Sequence, residues 1–107
     1  YYTNHYSPLD TENVKVTEFI DSFKKKYNSE PSAFSALGYD TAYFVADAIS
    51  RSGAELTGNA VKDAMASTTD FQGVTGNFGI DANHDPEKAA LVIGFTDGVP
   101  TSAVKAA

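Results

Sequence analysis

With 107 residues, 42% of them hydrophobic and 21% charged, the chain holds at most one domain, and its formal net charge of −6 has the wrong sign for screening nucleic-acid phosphates or docking on an anionic bilayer. Leu, Ile, Val and Phe together supply only 23 residues, so a core must lean on the 15 alanines and six tyrosines. The absence of Cys excludes disulfides, thiolate zinc sites and a Cys nucleophile, and no segment approaches the roughly 20 apolar residues of a membrane-spanning helix.

Tyr1 to Tyr6 is aromatic, resembles neither a signal peptide nor a flexible leader, and suits an extended strand. Ser7-Pro8-Leu9-Asp10 then turns the chain and offers Asp10 as the cap of a first helix. Val16, Phe19, Ile20, Phe23 and Tyr27 fall on one helical stripe, with Glu12 near the positive end and Lys24-Lys25-Lys26 near the negative end. That lysine run, the one basic cluster, is thereby explained as a helix terminus rather than a nucleic-acid patch. Asn28 tolerates a left-handed terminal position and Pro31 cannot continue the ladder, so the helix stops there.

A second helix is expected from about Ala33 to Ser52, closed by Gly53. Ala36, Leu37, Phe44, Val45, Ala48 and Ile49 make one face, while Ala42 and Ala46 keep the opposite face small, so the helix can pack on two sides. Asp40, Asp47, Ser50 and Arg51 ask for water or a polar partner. Asn59 to Met65 reads as a short third helix after Thr57-Gly58, with Val61, Ala64 and Met65 inward.

The period then changes from helical to alternating. Val74, Gly76, Phe78 and Ile80 share one face of a strand starting at about Gly73. Asp81-Ala82-Asn83-His84-Asp85-Pro86 is dense in turn formers, and Ala89 to Phe95 is a continuous apolar run of the kind expected for a strand covered on both faces. Asp97-Gly98 ends it, leaving a small-residue tail after Pro100. The order is strand, three helices, strand, strand. The first strand could pair with the last only across a helical excursion, a pattern typical of two-lobed α/β proteins.

Chemistry at these positions is sparse. His5 and His84 have no nucleophile elbow or triad to serve. Asp81, Asn83, Asp85 and Glu87 alternate as in a calcium loop, but Pro86 stands where the loop needs Gly and Val92 where it needs a bidentate Glu, which favours a plain Asx-rich turn. Gly73, Gly76 and Gly79 superficially suggest a phosphate loop, yet a strand rather than a helix follows, so a tight bend or close packing explains them better. Phe34, Tyr39, Tyr43 and Phe44 cluster near the start of the second helix, either as core or as walls of an apolar ligand pocket.

The order of motifs resembles the C-terminal third of the periplasmic-type (type I, Venus-flytrap) branched-chain amino-acid binding proteins, the solute receptors of ABC importers. The resemblance covers nearly the whole chain. It rests on Tyr6-Ser7-Pro8, the helix end Phe23 to Tyr27, Glu30-Pro31-Ser32, Gly38-Tyr39-Asp40-Thr41-Ala42, Asp47-Ala48-Ile49, Asp70 to Gly76, the strand end Phe78 to Asp81, and Gly94 to Gly98. Asp81 to Asp85 followed by Lys88-Ala89-Ala90 looks most like receptors of Gram-positive bacteria.

The resemblance implies an α/β chain, a fragment of the two-lobed periplasmic binding protein type I fold. Residues about 1–30 and 82–107 would lie in one lobe and about 33–80 in the other lobe and hinge. It implies no enzyme, no cofactor and no nucleic acid, but an amino acid as ligand of the intact protein, an ABC permease as partner, and an extracellular place as a cell-surface lipoprotein or periplasmic protein. The family's loops for the ligand's α-ammonium and α-carboxylate lie upstream of the matched region. The one pocket position inside it falls on Phe34, with Tyr39 a weaker candidate, and Thr41 stands where relatives usually have Ala. The alternatives are a ligand-sensing module of a receptor or regulator, and a small self-associating α/β interaction domain, including a domain-swapped dimer.

Overall fold

The computed structural model describes residues 1–106. Its elements run β1 (Tyr2–Asn4), α1 (Val14–Tyr27), α2 (Ala33–Arg51), α3 (Gly58–Ala66), β2 (Phe71–Gly73), β3 (Gly76–Ile80), β4 (Pro86–Lys88), β5 (Leu91–Thr96) and β6 (Val99–Lys105). No described helix is long and apolar enough to cross a membrane.

The first helix begins later than its sequence suggests. Asp10 is spent on the turn, its backbone N–H bonded to the Ser7 carbonyl at 3.1 Å. The cap is instead Asn13, whose side-chain oxygen accepts from Lys15 N at 3.1 Å. Asn13 wins because its amide also donates to the Gly73 carbonyl at 3.1 Å, which fixes the helix entry against a distant turn. Glu12 consequently lies outside the helix. At the other end Asn28 adopts the left-handed conformation (φ 51°) and donates to the Lys24 carbonyl, with all three lysines in the last turn. The stripe is buried at Val16 and Phe19, which pack with Tyr6, Ala36 and Val74, flanked by Ile20 and Phe23; Tyr27, its last member, is exposed.

Helix α2 starts at a capping box in which the Ser32 and Ser35 side chains each accept from the other's backbone N–H. Ala36, Asp40, Phe44 and Ala48, four residues apart, form its buried stripe. Ala42 and Ala46 are exposed, so the second face anticipated for this helix is uncovered among the described residues, and Ile49, expected on the first face, is exposed as well. Helix α3 is capped by the Thr57 hydroxyl and docks on α2 through Arg51, which donates to the Ala64 carbonyl and Thr68 Oγ1, both at 2.8 Å.

Three strands appear that the order strand, helix, helix, helix, strand, strand does not contain. The single strand expected from Gly73 is a hairpin: β2 and β3 pair antiparallel with Gly73 opposite Gly76, and Val74 and Thr75 form the turn. Its two buried turn residues mimicked the alternation of a strand. Pro86–Lys88 adds β4 to β3. The tail after Pro100 is β6, paired back on β5 through Asp97-Gly98, both at positive φ (51° and 77°), a two-residue turn that matches strand twist. Two three-stranded antiparallel sheets result, ordered β1-β5-β6 and β2-β3-β4.

The strand near the start does pair with one near the end, Tyr2 opposite Ile93 and Asn4 opposite Leu91. Strand β5 is less covered than a doubly buried strand. Leu91 and Ile93 are buried, Val92 on the opposite face is half-buried, and Phe95 is 45% exposed. Helix α1 packs against α2 and the β2–β3 turn through Val16, Phe19, Ala36 and Val74, and strand β4 pairs with β3. The molecule measures 54 × 33 × 19 Å with a radius of gyration of 15.6 Å. A compact chain of this length has about 13 Å.

Candidate functional site

The two residues expected at a pocket are set apart by helix geometry. Phe34 and Tyr39 are five residues apart on α2, which turns their side chains about 140° from each other. Phe34 is 84% exposed and pairs with no other aromatic ring among the described residues. Tyr39 instead stacks on Phe19 at 4.9 Å and Tyr43 at 4.8 Å, while Phe44 turns inward to meet Phe71 and Phe78 at 5.6 and 5.5 Å. The aromatic cluster anticipated at the start of α2 is therefore divided among three surroundings.

Tyr39 lines a groove of about 490 Å³ with Lys15, Glu18, Tyr43, Asp47 and Gln72. The neighbouring Tyr43 hydroxyl, then burial, then the charges of Asp40 and Glu18 push the Tyr39 hydroxyl up to about 12. It stays protonated at physiological pH. Lys15 crosses the rim of this groove, donating from Nζ to the Gln72 carbonyl at 2.6 Å.

A second concavity of about 790 Å³ opens between the β1-β5-β6 sheet and the helical body, with His5, Asn13, Lys15, Thr75, Ala89 and Lys105 in its wall. Two covalent connections bridge it, residues 5–13 from β1 to α1 and Ala89-Ala90 from β4 to β5. They are tied together where His5 Nδ1 lies 3.2 Å from the Ala89 carbonyl oxygen, and Ala106 N donates to the Ala90 carbonyl at 2.8 Å. Neither Phe34 nor Tyr39 lines this cleft.

Sequence reasoning marked Asp40 as needing water or a polar partner but missed what that partner is. Only 4% exposed, Asp40 accepts from Val74 N and Thr75 N, both at 2.8 Å, and from Thr75 Oγ1 at 2.6 Å. A carboxylate with three donors on it can remain charged inside a protein. Thr75 Oγ1 in turn accepts from Lys88 Nζ, which sits 4.5 Å above the Phe78 ring. Burial pushes the Lys88 ammonium below its ordinary value, opposed by the Asp40 charge, which pushes it up. The available signal was the spacing itself: a lone Asp in the apolar stripe 36, 44, 48 requires a buried donor set, and Gly-Val-Thr-Gly is a turn with free N–H groups.

The Asx-rich turn at Asp81 is closed by its own backbone. Asp81 Oδ1 accepts from Asn83 N at 2.8 Å and Asp85 N at 2.9 Å, and those bonds hold its carboxyl below the usual carboxylate range. Among the described residues no three His, Asp or Glu side chains are gathered to hold a metal ion.

A family model described as periplasmic binding protein matches residues 1–98. Among solved structures, the branched-chain amino acid transporter substrate-binding protein LivJ of Streptococcus pneumoniae, in complex with isoleucine, is 33% identical with a TM-score of 0.80, over 97% of this chain and 30% of LivJ. The leucine binding protein LivK of Thermotoga maritima is also 33% identical, TM-score 0.75, over 98% of this chain and 29% of LivK. A solute-binding protein of an ABC transporter from R. palustris, in complex with benzoate, shares the fold at 23% identity and a TM-score of 0.74. The curated proteins contain no match. The chain thus spans about 30% of the length of these solved relatives. Its strand pairing across a helical excursion, its cleft bridged by two connections and its match over residues 1–98 together show that the chain belongs to the periplasmic binding protein family.

Proposed function

We propose that this chain is a segment of an extracellular solute-binding protein that captures a branched-chain or related amino acid for an ABC importer, with no enzymatic step of its own. The observation that carries the reading is the cleft between two bodies bridged by residues 5–13 and 89–90, in a chain that follows the path of LivJ, which was solved with isoleucine. In the assembled receptor the two lobes close on the solute, driven by its higher affinity for the closed state, and the closed form docks on a permease. The packing supports a division in which β1, β5 and β6 belong to one lobe and α1 to β4 to the other. In this grouping α1 goes with α2, since Val16 and Phe19 share a core cluster with Ala36 and Val74, whereas the resemblance would group residues about 1–30 with 82–107.

Phe34 is the side chain we assign to the ligand's apolar end. Its 84% exposure leaves the ring free for a solute or an opposing lobe. Tyr39 is the weaker candidate, since its ring already packs against Phe19 and Tyr43. Groups for the α-ammonium and α-carboxylate lie outside this chain. Calorimetric titration of the chain with leucine, isoleucine and valine tests that division of labour. No micromolar binding is expected, and micromolar affinity for any of the three would overturn it.

A further inference from the structure

The buried Asp40 and Thr75 and the half-buried Lys88 form a network whose polar atoms are spent on one another, although Thr75 borders the cleft and Asp40 the groove. They join three elements distant in sequence: the middle of α2, the β2–β3 turn and the last residue of β4. Thr75 is 1% exposed, and its hydroxyl uses both capacities, donating to Asp40 Oδ2 and accepting from Lys88 Nζ. The fit leaves no slack, because a Cβ on Gly73 would come within 2.5 Å of Asp40 Oδ2. Lys88 is also where the chain leaves the helical body: Ala89-Ala90 follows, and Leu91 begins the other sheet. Two alanines have no side chains able to anchor a crossing, so Lys88 is the last side chain that holds the chain to the helical body before the backbone contacts at Ala89 and Ala90.

We propose that Asp40, through Thr75 and Lys88, is the latch that fixes the angle at which the β4–β5 crossing leaves the helical body. The inference rests on the two-lobed reading for its purpose, which is to set the resting orientation of the lobes. The contacts that make up the latch do not depend on it. Lys88 is a positioning residue: its ammonium is held over Phe78 and by the Thr75 hydroxyl, so the strand end cannot swing without breaking a half-buried charge-assisted bond. Releasing it leaves the His5 contact to Ala89 and the short backbone pairing to resist rotation.

The chain has no Cys, so two introduced ones, Lys62→Cys on α3 and Val99→Cys on β6, accept spin labels without background. Electron spin distance measurement on the labelled 107-residue chain, diluted in an excess of unlabelled chain so that distances between copies drop out, should give one narrow distribution. Thr75→Val keeps the volume and removes both side-chain bonds, and it should broaden that distribution about twofold, as should Lys88→Met, with helical circular dichroism unchanged. Thr75→Ser keeps the hydroxyl and should stay narrow. If Thr75 acts only by packing, Thr75→Ser, which loses a buried methyl, perturbs the distribution more than Thr75→Val, and the latch is overturned. Unchanged distances in both Thr75→Val and Lys88→Met overturn it as well. Neither readout involves a solute, so loss of the latch leaves the assignment of function standing, and failure of that assignment leaves the latch measurable.

Discussion

At the scale of single residues, Asp40 is the buried charged group on which three donors converge. Its two oxygens accept three donors, so replacing one oxygen by an amide nitrogen sets donor against donor. Asp40→Asn is expected to cost about 2–3 kcal/mol, read from urea unfolding, because a buried bond to a charge is lost and a donor is left unmet. Gly73→Ala should cost about 1–3 kcal/mol by overpacking the same carboxylate, although no contact of Gly73 itself is removed. Tyr39 gives a pH signature. Its hydroxyl titrates at about 12 in the folded chain against 10.0 ordinarily. The folded state therefore holds that proton more tightly, and the resulting stability is complete below pH 10 and lost as pH rises toward 12. Ultraviolet titration of tyrosinate should lose its latest hydroxyl in Tyr39→Phe, while the hydroxyl of Tyr6, pushed up by burial and by the Glu30 charge, still titrates late. Burial of Phe19 and Val16 could be read from periodicity. The Asp40 network could not, because its donors lie more than thirty residues away and a polar residue in an apolar stripe does not name its partner.

Among the elements, the helices were legible because each carries its own stop and start chemistry. Asn28 and Ser32 mark their boundaries through local bonds alone, and both act as their residue types suggest. Asn28→Gly should leave stability unchanged or slightly raised, whereas Asn28→Ala should lower the thermal midpoint by the equivalent of about 1 kcal/mol, the cost of a Cβ at positive φ. Asn13 displaced Asp10 as the α1 cap through a tertiary bond to Gly73, which no local pattern contains. The strands fared worse for a physical reason. Three of them are only three residues long, too short to display a period, and Val74 and Thr75 are buried in a turn rather than in a strand. Strand β6 was legible in principle, since Asp97-Gly98 is a two-residue hairpin signal. Its small, exposed residues hid it behind the appearance of a tail.

Over the whole molecule, shape and surface argue together. The chain exposes 7109 Å², whereas a compact monomer of its mass exposes about 5,800 Å². The excess is of the size that one partner contributes to a substantial interface, about 800 Å² or more. Ala42, Ala46, Ile49 and Tyr43 on α2 and the outer edge of β6 supply it. A chain of this composition with that surface uncovered is expected to self-associate, including by exchange of elements between copies. Sedimentation across a hundredfold concentration range should show a mass that rises with concentration, and a constant monomer mass would contradict this. In the receptor reading the same surface meets the rest of a two-lobed protein, and one measurement decides that reading. The segment of Streptococcus pneumoniae LivJ that matches this chain can be replaced by it, and the isoleucine affinity of the chimera determined. The account predicts a chimera that binds isoleucine and loses about tenfold affinity on Phe34→Ala, as expected when an apolar ring leaves a ligand contact. A cooperatively folding chimera that binds no isoleucine would contradict it.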